Sequence, residues 1–260
     1  MKEKLYQSLI ELTNGNGSSR FLKAFSQSKF SKHFIRSYTK VYDINIEEVS
    51  KNINEFASLH DFFVRTLREE VRPVDANPSV FASPVDAKVE MFGTIEQNMT
   101  FRVKGKDYAL TDLLGNEEAA NRYRNGQYIV FYLSPADYHR MHSPVNGEVT
   151  RQYLLGQKSY PVNQLGLQYG KNPLSQNYRM VTELQYAPSR FTAFIKVGAM
   201  FVNSIELTNT TKTWHKGEEV GYFSFGSTVV MLFEQDAVKF MPNITTQYAI
   251  RMGEPFATML

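Results

Sequence analysis

An α+β fold is predicted for this chain: amino-terminal amphipathic helices followed by a β-rich, barrel- or sandwich-like domain. Two observations predict it. Apolar residues recur at helical spacing through residues 1–72, and from about residue 74 onward short β-branched and aromatic runs are punctuated by Gly, Pro and Asn. Leu5, Leu9 and Leu12 share one helical face before Asn14-Gly15-Asn16-Gly17-Ser18-Ser19 breaks the run. Phe21, Leu22 and Phe25 form a short second face. Phe30, Phe34, Tyr38 and Val41 form a third, with Lys29, Lys32, Arg36 and Lys40 mainly off it. The last two stripes lose phase across residues 26–29, which predicts two helices instead of one. Ser58 is placed to cap a further helix, with Asp61 three residues on and Leu59, Phe62, Phe63 and Leu67 along one face. Arg72-Pro73-Val74 ends it, and residues 73–260 read as the β-rich domain. Its strongest strand signals are 129–133, 191–197 and 229–233, with short helices expected at 109–114 and 117–124.

The 260 residues suffice for a sizeable core. Absence of cysteine excludes disulfides, Cys-ligated zinc, iron–sulfur clusters and thiol nucleophiles, and fits a reducing cytoplasm. The net charge of +3 averages two unlike parts. Residues 1–42 hold eight basic residues against two acidic ones, a balance of +6, which leaves −3 for the remainder. No window approaches the roughly 20 apolar residues that span a bilayer. Gln7, Ser8 and Glu11 interrupt any apolar signal-peptide core. The chain is therefore expected neither to cross a membrane nor to be secreted by that route. An aromatic face beside Lys and Arg suits a helix lying in a membrane interface, and equally a helix packed on the protein's own core.

Five histidines (33, 60, 139, 142 and 215) and no thiol leave few reactive candidates. Ser83-Pro84-Val85-Asp86-Ala87 puts a carboxylate in a turn ahead of a strand. Asp137-Tyr138-His139-Arg140-Met141-His142 puts two imidazoles three apart after an apolar strand. Phe225-Gly226-Ser227-Thr228 puts a serine before the apolar run 229–233. Asp, His and Ser from three loops could form an orienter–base–nucleophile relay. Each segment also has a plain structural use. A turn carboxylate bonds local amides, His-x-x-His is often structural or supplies two metal ligands without a third nearby, and Gly-Ser-Thr is usually a turn. The G-x-S-x-G elbow of α/β-hydrolases is absent.

Together these segments resemble the phosphatidylserine decarboxylase family, pyruvoyl-dependent bacterial type, from about Phe56 to Glu234. The landmarks are, in order, Phe62-Phe63-Val64-Arg65 with Arg72-Pro73; Ser83-Pro84-Val85-Asp86; and Tyr132-Leu133-Ser134-Pro135-Ala136-Asp137-Tyr138-His139-Arg140-Met141-His142. Tyr160-Pro161-Val162-Asn163, Asn177-Tyr178-Arg179, Val197-Gly198-Ala199, Gly217-Glu218-Glu219-Val220-Gly221 and Phe223-Ser224-Phe225-Gly226-Ser227-Thr228-Val229 follow. The chain departs from the family at Ala87, usually Gly, and at Tyr178, commonly acidic. The resemblance implies conversion of phosphatidylserine to phosphatidylethanolamine, in phospholipid biosynthesis, by a self-cleaving zymogen. It implies serinolysis between Gly226 and Ser227, giving chains 1–226 and 227–260 that stay associated, and a covalent pyruvoyl group derived from Ser227. A Schiff base from the substrate amine to that group would do the work of pyridoxal phosphate, so neither pyridoxal phosphate nor metal is expected. Joined to the residue chemistry, it assigns Ser227 as nucleophile, His142 as base, Asp86 as its orienter, and His139 as proton donor. Tyr132 is assigned to orienting the substrate carboxylate. A peripheral place on the cytoplasmic face of the cell membrane, anionic lipid as partner, a homodimer and no nucleic acid are further expectations. An ordinary Ser-His-Asp hydrolase and a non-catalytic lipid-binding module are the competing readings.

Overall fold

The computed structural model describes residues 24–199, 205–224 and 227–260. The helical expectations resting on Leu5, Leu9, Leu12, Phe21 and Leu22 lie outside the described residues, as does Gly226. Where 29–42 was expected to form one helix, a 3-10 turn over Lys29–Phe34 leads into helix α1, Ile35–Val41. The turn follows from Ser31. Its buried hydroxyl serves the Ser26 and Ser28 carbonyls and accepts the Leu59 N–H, so a side chain occupies acceptors a regular helix would use. Helix α2, Leu59–Phe63, starts as expected: Ser58 Oγ accepts the Asp61 N–H at 3.1 Å, and Asp61 accepts the Ala57 N–H at 2.9 Å. It stops four residues before Leu67, because the backbone there pairs with residues 49–50 through a Val49–Leu67 bridge and a Ser50–Thr66 bond. Ile35, Val49, Phe56 and Phe62 form a small core for this helical part.

The remainder is built from strands β1 (Val80–Ala82), β2 (Ala87–Thr94), β3 (Thr100–Val103), β4 (Lys106–Ala109), β5 (Gln127–Leu133) and β6 (Arg140–His142). They continue as β7 (Gly147–Leu155), β8 (Arg179–Ala187), β9 (Arg190–Gly198), β10 (Ile205–Leu207) and β11 (Thr213–Trp214). Last come β12 (Glu219–Phe223), β13 (Ser227–Phe233), β14 (Val238–Phe240), β15 (Ala249–Ile250) and β16 (Pro255–Met259). One sheet of eight strands, in the order β11-β7-β8-β9-β13-β5-β2-β15, dominates. The three strongest sequence signals become its adjacent strands β9, β13 and β5, antiparallel throughout. Such uninterrupted apolar runs are what a strand buried on both faces requires.

Among the described residues the sheet does not close: β11 and β15 are its two edges, so the barrel expected as one alternative is not formed there. A right-handed twist alone does not bring edges together without a consistent stagger between strands. Each face carries its own core. On one, Phe131, Phe194, Val229 and Met231 join Phe81 of β1, Phe223 of β12 and Phe256 of β16. These partners belong to two three-stranded sheets, β1-β16-β14 and β10-β12-β6. On the other face Val130, Ile195, Val230 and Leu232 meet the β3–β4 hairpin and short helices. Those helices are α3 (Leu110–Leu114), α4 (Glu117–Arg122), α5 (Gln164–Tyr169) and α6 (Pro173–Gln176). The first two match expectation. Gly115 closes α3 in the left-handed region at φ 65°, and Asn116 caps α4 by accepting the Ala119 N–H.

Phe81 is fully buried, with the rings of Tyr186, Phe233 and Phe256 at 5.0, 5.1 and 6.2 Å. Phe81→Ala is expected to lower stability by about 3–5 kcal/mol and Phe81→Leu by much less, read as a shift of the urea midpoint at unchanged slope.

Candidate active site

Ser227 opens β13 at the centre of the large sheet, opposite Leu133 at the end of β5 and Gly198 at the end of β9. Side chains alternate along a strand, so Ser227 shares the face of Leu133 and Val229, the side covered by the small sheets. Its Oγ is buried and has no hydrogen-bond partner among the described residues. A buried hydroxyl without a partner carries a desolvation penalty of about 1–3 kcal/mol, so its place here calls for an explanation.

His142 ends β6. The His142 N–H bonds to the Pro84 carbonyl, which ties the two histidine and aspartate segments together. Its Nδ1 lies 2.8 Å from the Gly217 carbonyl and its Nε2 3.1 Å from the Tyr138 hydroxyl. Since a carbonyl only accepts, the proton belongs on Nδ1, and Nε2 presents a lone pair to the phenol. Burial pushes the His142 pKa down, while the Gly217 carbonyl and the charges of Glu219 and Asp86 push the other way. His139, fully buried, stacks on Phe63 with ring centroids 3.9 Å apart and planes 19° from parallel. Neither of its nitrogens has a well-formed hydrogen bond among the described residues; the Ser134 backbone exerts only a weak opposing pull. Burial, helped by the Arg65 charge, drives its pKa down to about 3.

The register distinguishes the two histidines. The His139 carbonyl accepts the Phe223 N–H, beside the segment entering Ser227, whereas His142 pairs with Glu219. At about 3.3 Å per strand residue, His139 lies roughly 10 Å closer along the strand to that segment.

Among the described residues Asp86 makes no hydrogen bond with the His142 ring. Arg72 holds its carboxylate in a fork, Nε to Oδ1 at 2.9 Å and Nη2 to Oδ2 at 2.6 Å, and the Met252 N–H takes Oδ1 at 2.8 Å. Arg72 Nη2 also reaches Glu48 at 2.8 Å. A planar guanidinium matches a carboxylate's two oxygens better than an imidazole can, so the carboxylate goes to the arginine. The expected relay is thus not joined by hydrogen bonds, and Asp86 influences His142 through its field. Tyr132 also differs from expectation: it lies opposite Thr228 and packs on the helix-covered core, across the sheet from Ser227's side chain. The residues that do hold the imidazole, Gly217 and Tyr138, stood in the quoted sequence segments with no role attached, as did Arg72. A backbone acceptor leaves no side-chain signal, and Tyr138 is recognisable only by its place four residues before His142.

The family model described as phosphatidylserine decarboxylase matches residues 59–258. The phosphatidylserine decarboxylase proenzyme of Anoxybacillus flavithermus is 52% identical over 254 residues, covering 98% of this chain and 96% of that relative. That of Bacillus mycoides is 50% identical over 258 residues, covering 99% and 98%. That of Bacillus thuringiensis strain Al Hakam is 50% identical over 260 residues, covering 100% and 99%.

A histidine held neutral by burial destabilises the fold in acid. The unfolded His139 titrates near 6.5 and the folded one near 3, so its share of stability is complete above pH 6.5 and declines as pH falls toward 3. By pH 5 that loss is about 2 kcal/mol. Urea unfolding at pH 7.5 and pH 5 should show His139→Phe, which keeps the stacking on Phe63, with a visibly shallower pH dependence than wild type. Identical slopes would contradict the assignment.

Proposed function

Because the chain belongs to the phosphatidylserine decarboxylase family, we propose that it is a self-cleaving enzyme that converts phosphatidylserine to phosphatidylethanolamine with a pyruvoyl group made from Ser227. The observation that carries this reading is the buried, unpartnered Ser227 Oγ at the head of the central strand. A residue that is to become a covalent cofactor fits there: it is shielded from water, fixed by a strand, and free of competing bonds from the described residues.

In the proposed cleavage, Ser227 Oγ attacks the Gly226 carbonyl carbon while its proton passes to His142 Nε2. The peptide C–N bond breaks as its nitrogen takes up a proton, leaving Gly226 esterified to Oγ. Elimination across that ester releases chain 1–226 with a terminal carboxylate, and hydrolysis of the resulting dehydroalanine, with loss of ammonia, leaves the ketone. Gly217 supplies the orientation of the ring, and the Asp86 charge favours the imidazolium that forms. The Tyr138 hydroxyl occupies Nε2 in the intact chain, so it turns aside or relays the proton.

The pyruvoyl group supplies an electron-accepting ketone to a substrate amine. His139 is the proposed proton donor to the carbon that loses CO₂. Its apolar niche excludes water, and an anionic headgroup entering the niche raises its proton affinity, since opposite charge favours imidazolium. The small chain stays in place after cleavage, because all seven residues of β13 are buried between β9 and β5, and β16 lies between β1 and β14.

The lipid substrate gives the helical part a use. Phe30, Phe34 and Val41 are 64%, 43% and 75% exposed, next to Lys29, Lys32, Arg36 and Lys40. Exposed rings beside cations support docking on an anionic membrane surface, on the cytoplasmic face, over packing on the protein's own core. Among the described residues no helix is long and apolar enough to cross a membrane.

Denaturing mass spectrometry should find two chains divided between Gly226 and Ser227, the smaller lacking a free amine, and one intact chain for Ser227→Ala. His142→Ala should block cleavage, whereas His139→Ala should cleave yet decarboxylate at least 100-fold more slowly. The opposite pattern would exchange the two histidine roles, as the strand register would permit. An uncleaved wild-type chain that turns over phosphatidylserine would defeat the proposal. Reversing Lys29, Lys32 and Arg36 to Glu should weaken co-sedimentation with anionic vesicles and leave cleavage intact; unchanged binding would remove the helical part from membrane docking.

A further inference from the structure

Arg65 closes the Phe62-Phe63-Val64-Arg65 segment just after α2, and nothing in the chemistry above uses it. It is 4% exposed. Nη2 donates to the Ala136 carbonyl at 2.8 Å and the Asp137 carbonyl at 3.1 Å, and the guanidinium lies 5.2 Å from the Phe62 ring centroid. Nε and Nη1, which carry three of the five N–H donors, have no hydrogen-bond partner among the described residues. Among the described residues no carboxylate pairs with it, in contrast to Arg72, which is neutralised by Asp86 and Glu48. Asp86 and Asp137 favour its charge only through their fields, so three desolvated N–H donors still oppose folding, a state relieved where an acceptor arrives to complete them.

Its surroundings say which acceptor. Arg65 lines a pocket of about 300 Å³ together with Asp86, Ala136, Asp137 and Tyr138. The Ala136 and Asp137 carbonyls it holds belong to the loop joining Leu133, opposite Ser227, to His139. A group bound there is therefore a neighbour of the proposed proton donor, which feels the Arg65 charge. Resting on the decarboxylase reading, we propose that Arg65 is the receptor for the phosphodiester of the lipid headgroup. Both paired edges of the guanidinium include Nη2, which the two carbonyls occupy, so Nε and Nη1 each offer single donors to a phosphate oxygen. Binding energy drawn from the phosphate, remote from the reacting bond, also leaves the departing carboxylate without a stabilising cation, as decarboxylation requires. The same contact removes an opposing charge from beside His139, where Arg65 now disfavours protonation. Phosphate binding and readiness of the proton donor are thereby coupled.

The test uses processed enzyme and Arg65→Gln, with normal self-cleavage as the check on folding. Calorimetry measures binding of glycerophosphoethanolamine, which has the phosphodiester but no carboxylate, and of O-methylserine, which has the carboxylate but no phosphate. The expected result is a loss on the order of ten- to a hundredfold for the first ligand and less than about twofold for the second. A larger loss for O-methylserine would make Arg65 a carboxylate receptor and overturn the proposal. No loss for either would leave it a clamp on the 136–137 backbone and overturn it as well. Should Arg65→Gln fail to cleave, the wild-type enzyme decides: the Arg65 Nε–H resonance should shift as glycerophosphoethanolamine is titrated, and an unmoved resonance at saturation would overturn the proposal. A wild type that neither cleaves nor turns over phosphatidylserine would refute the underlying reading instead, independently of these outcomes.

Discussion

Ser227 begins a strand that is buried along its whole length and paired on both sides, and most of the architecture answers to that constraint. A strand in the middle of an eight-stranded sheet needs apolar cover on both faces. The small sheets and β1 supply one cover, the β3–β4 hairpin and the short helices the other. The head of that strand consequently lies level with the end of β5, where the loop to His139 begins. A nucleophile placed there is held still by fourteen registered neighbours across two ladders, seven on each side.

The electrostatics around it are arranged as separate circuits. Asp86 and Glu48 are ion-paired to Arg72, with Arg251 3.6 Å from Glu48, and Asp86 accepts the Met252 N–H, so this group fastens the 80s loop to the carboxy-terminal segment. His142 is kept in one tautomer by a backbone carbonyl, within the fields of Glu219, Asp86 and Arg140. His139 sits in an almost entirely apolar niche, with the Arg65 cation as its nearest strong field. Two imidazoles three residues apart thus meet different environments, which is how one residue type can be given two tasks.

Much of this was legible in the residues. The runs 129–133, 191–197 and 229–233 announced the three central strands because strands buried on both faces need no polar alternation. The Ser58–Asp61 cap was legible because it is local. What failed to show were long-range pairings. The early end of α2 depends on residues 49–50 claiming the backbone of 66–67, and the open edges at β11 and β15 depend on which strands meet. Arg72 takes Asp86 from fourteen residues away, and the Gly217 carbonyl that fixes His142 is seventy-five residues distant and has no side chain to betray it. Relay chemistry and the family resemblance suggested an aspartate–histidine pair; in the fold the carboxylate's hydrogen bonds go to a guanidinium and a backbone N–H.

Tyr38 of α1 donates its hydroxyl to the Pro135 carbonyl at 2.7 Å, and Phe62, beside the ring that stacks on His139, shares a core with Ile35. The outer helix and the histidine loop are therefore parts of one lever. On the membrane-docking reading, the depth to which Phe30 and Phe34 sink fixes the height of His139 above the lipid plane, as a plumb line fixes a mark. Reach into the headgroup layer then becomes a property of bond lengths and packing, with no separate motion needed to deliver the imidazole to its lipid.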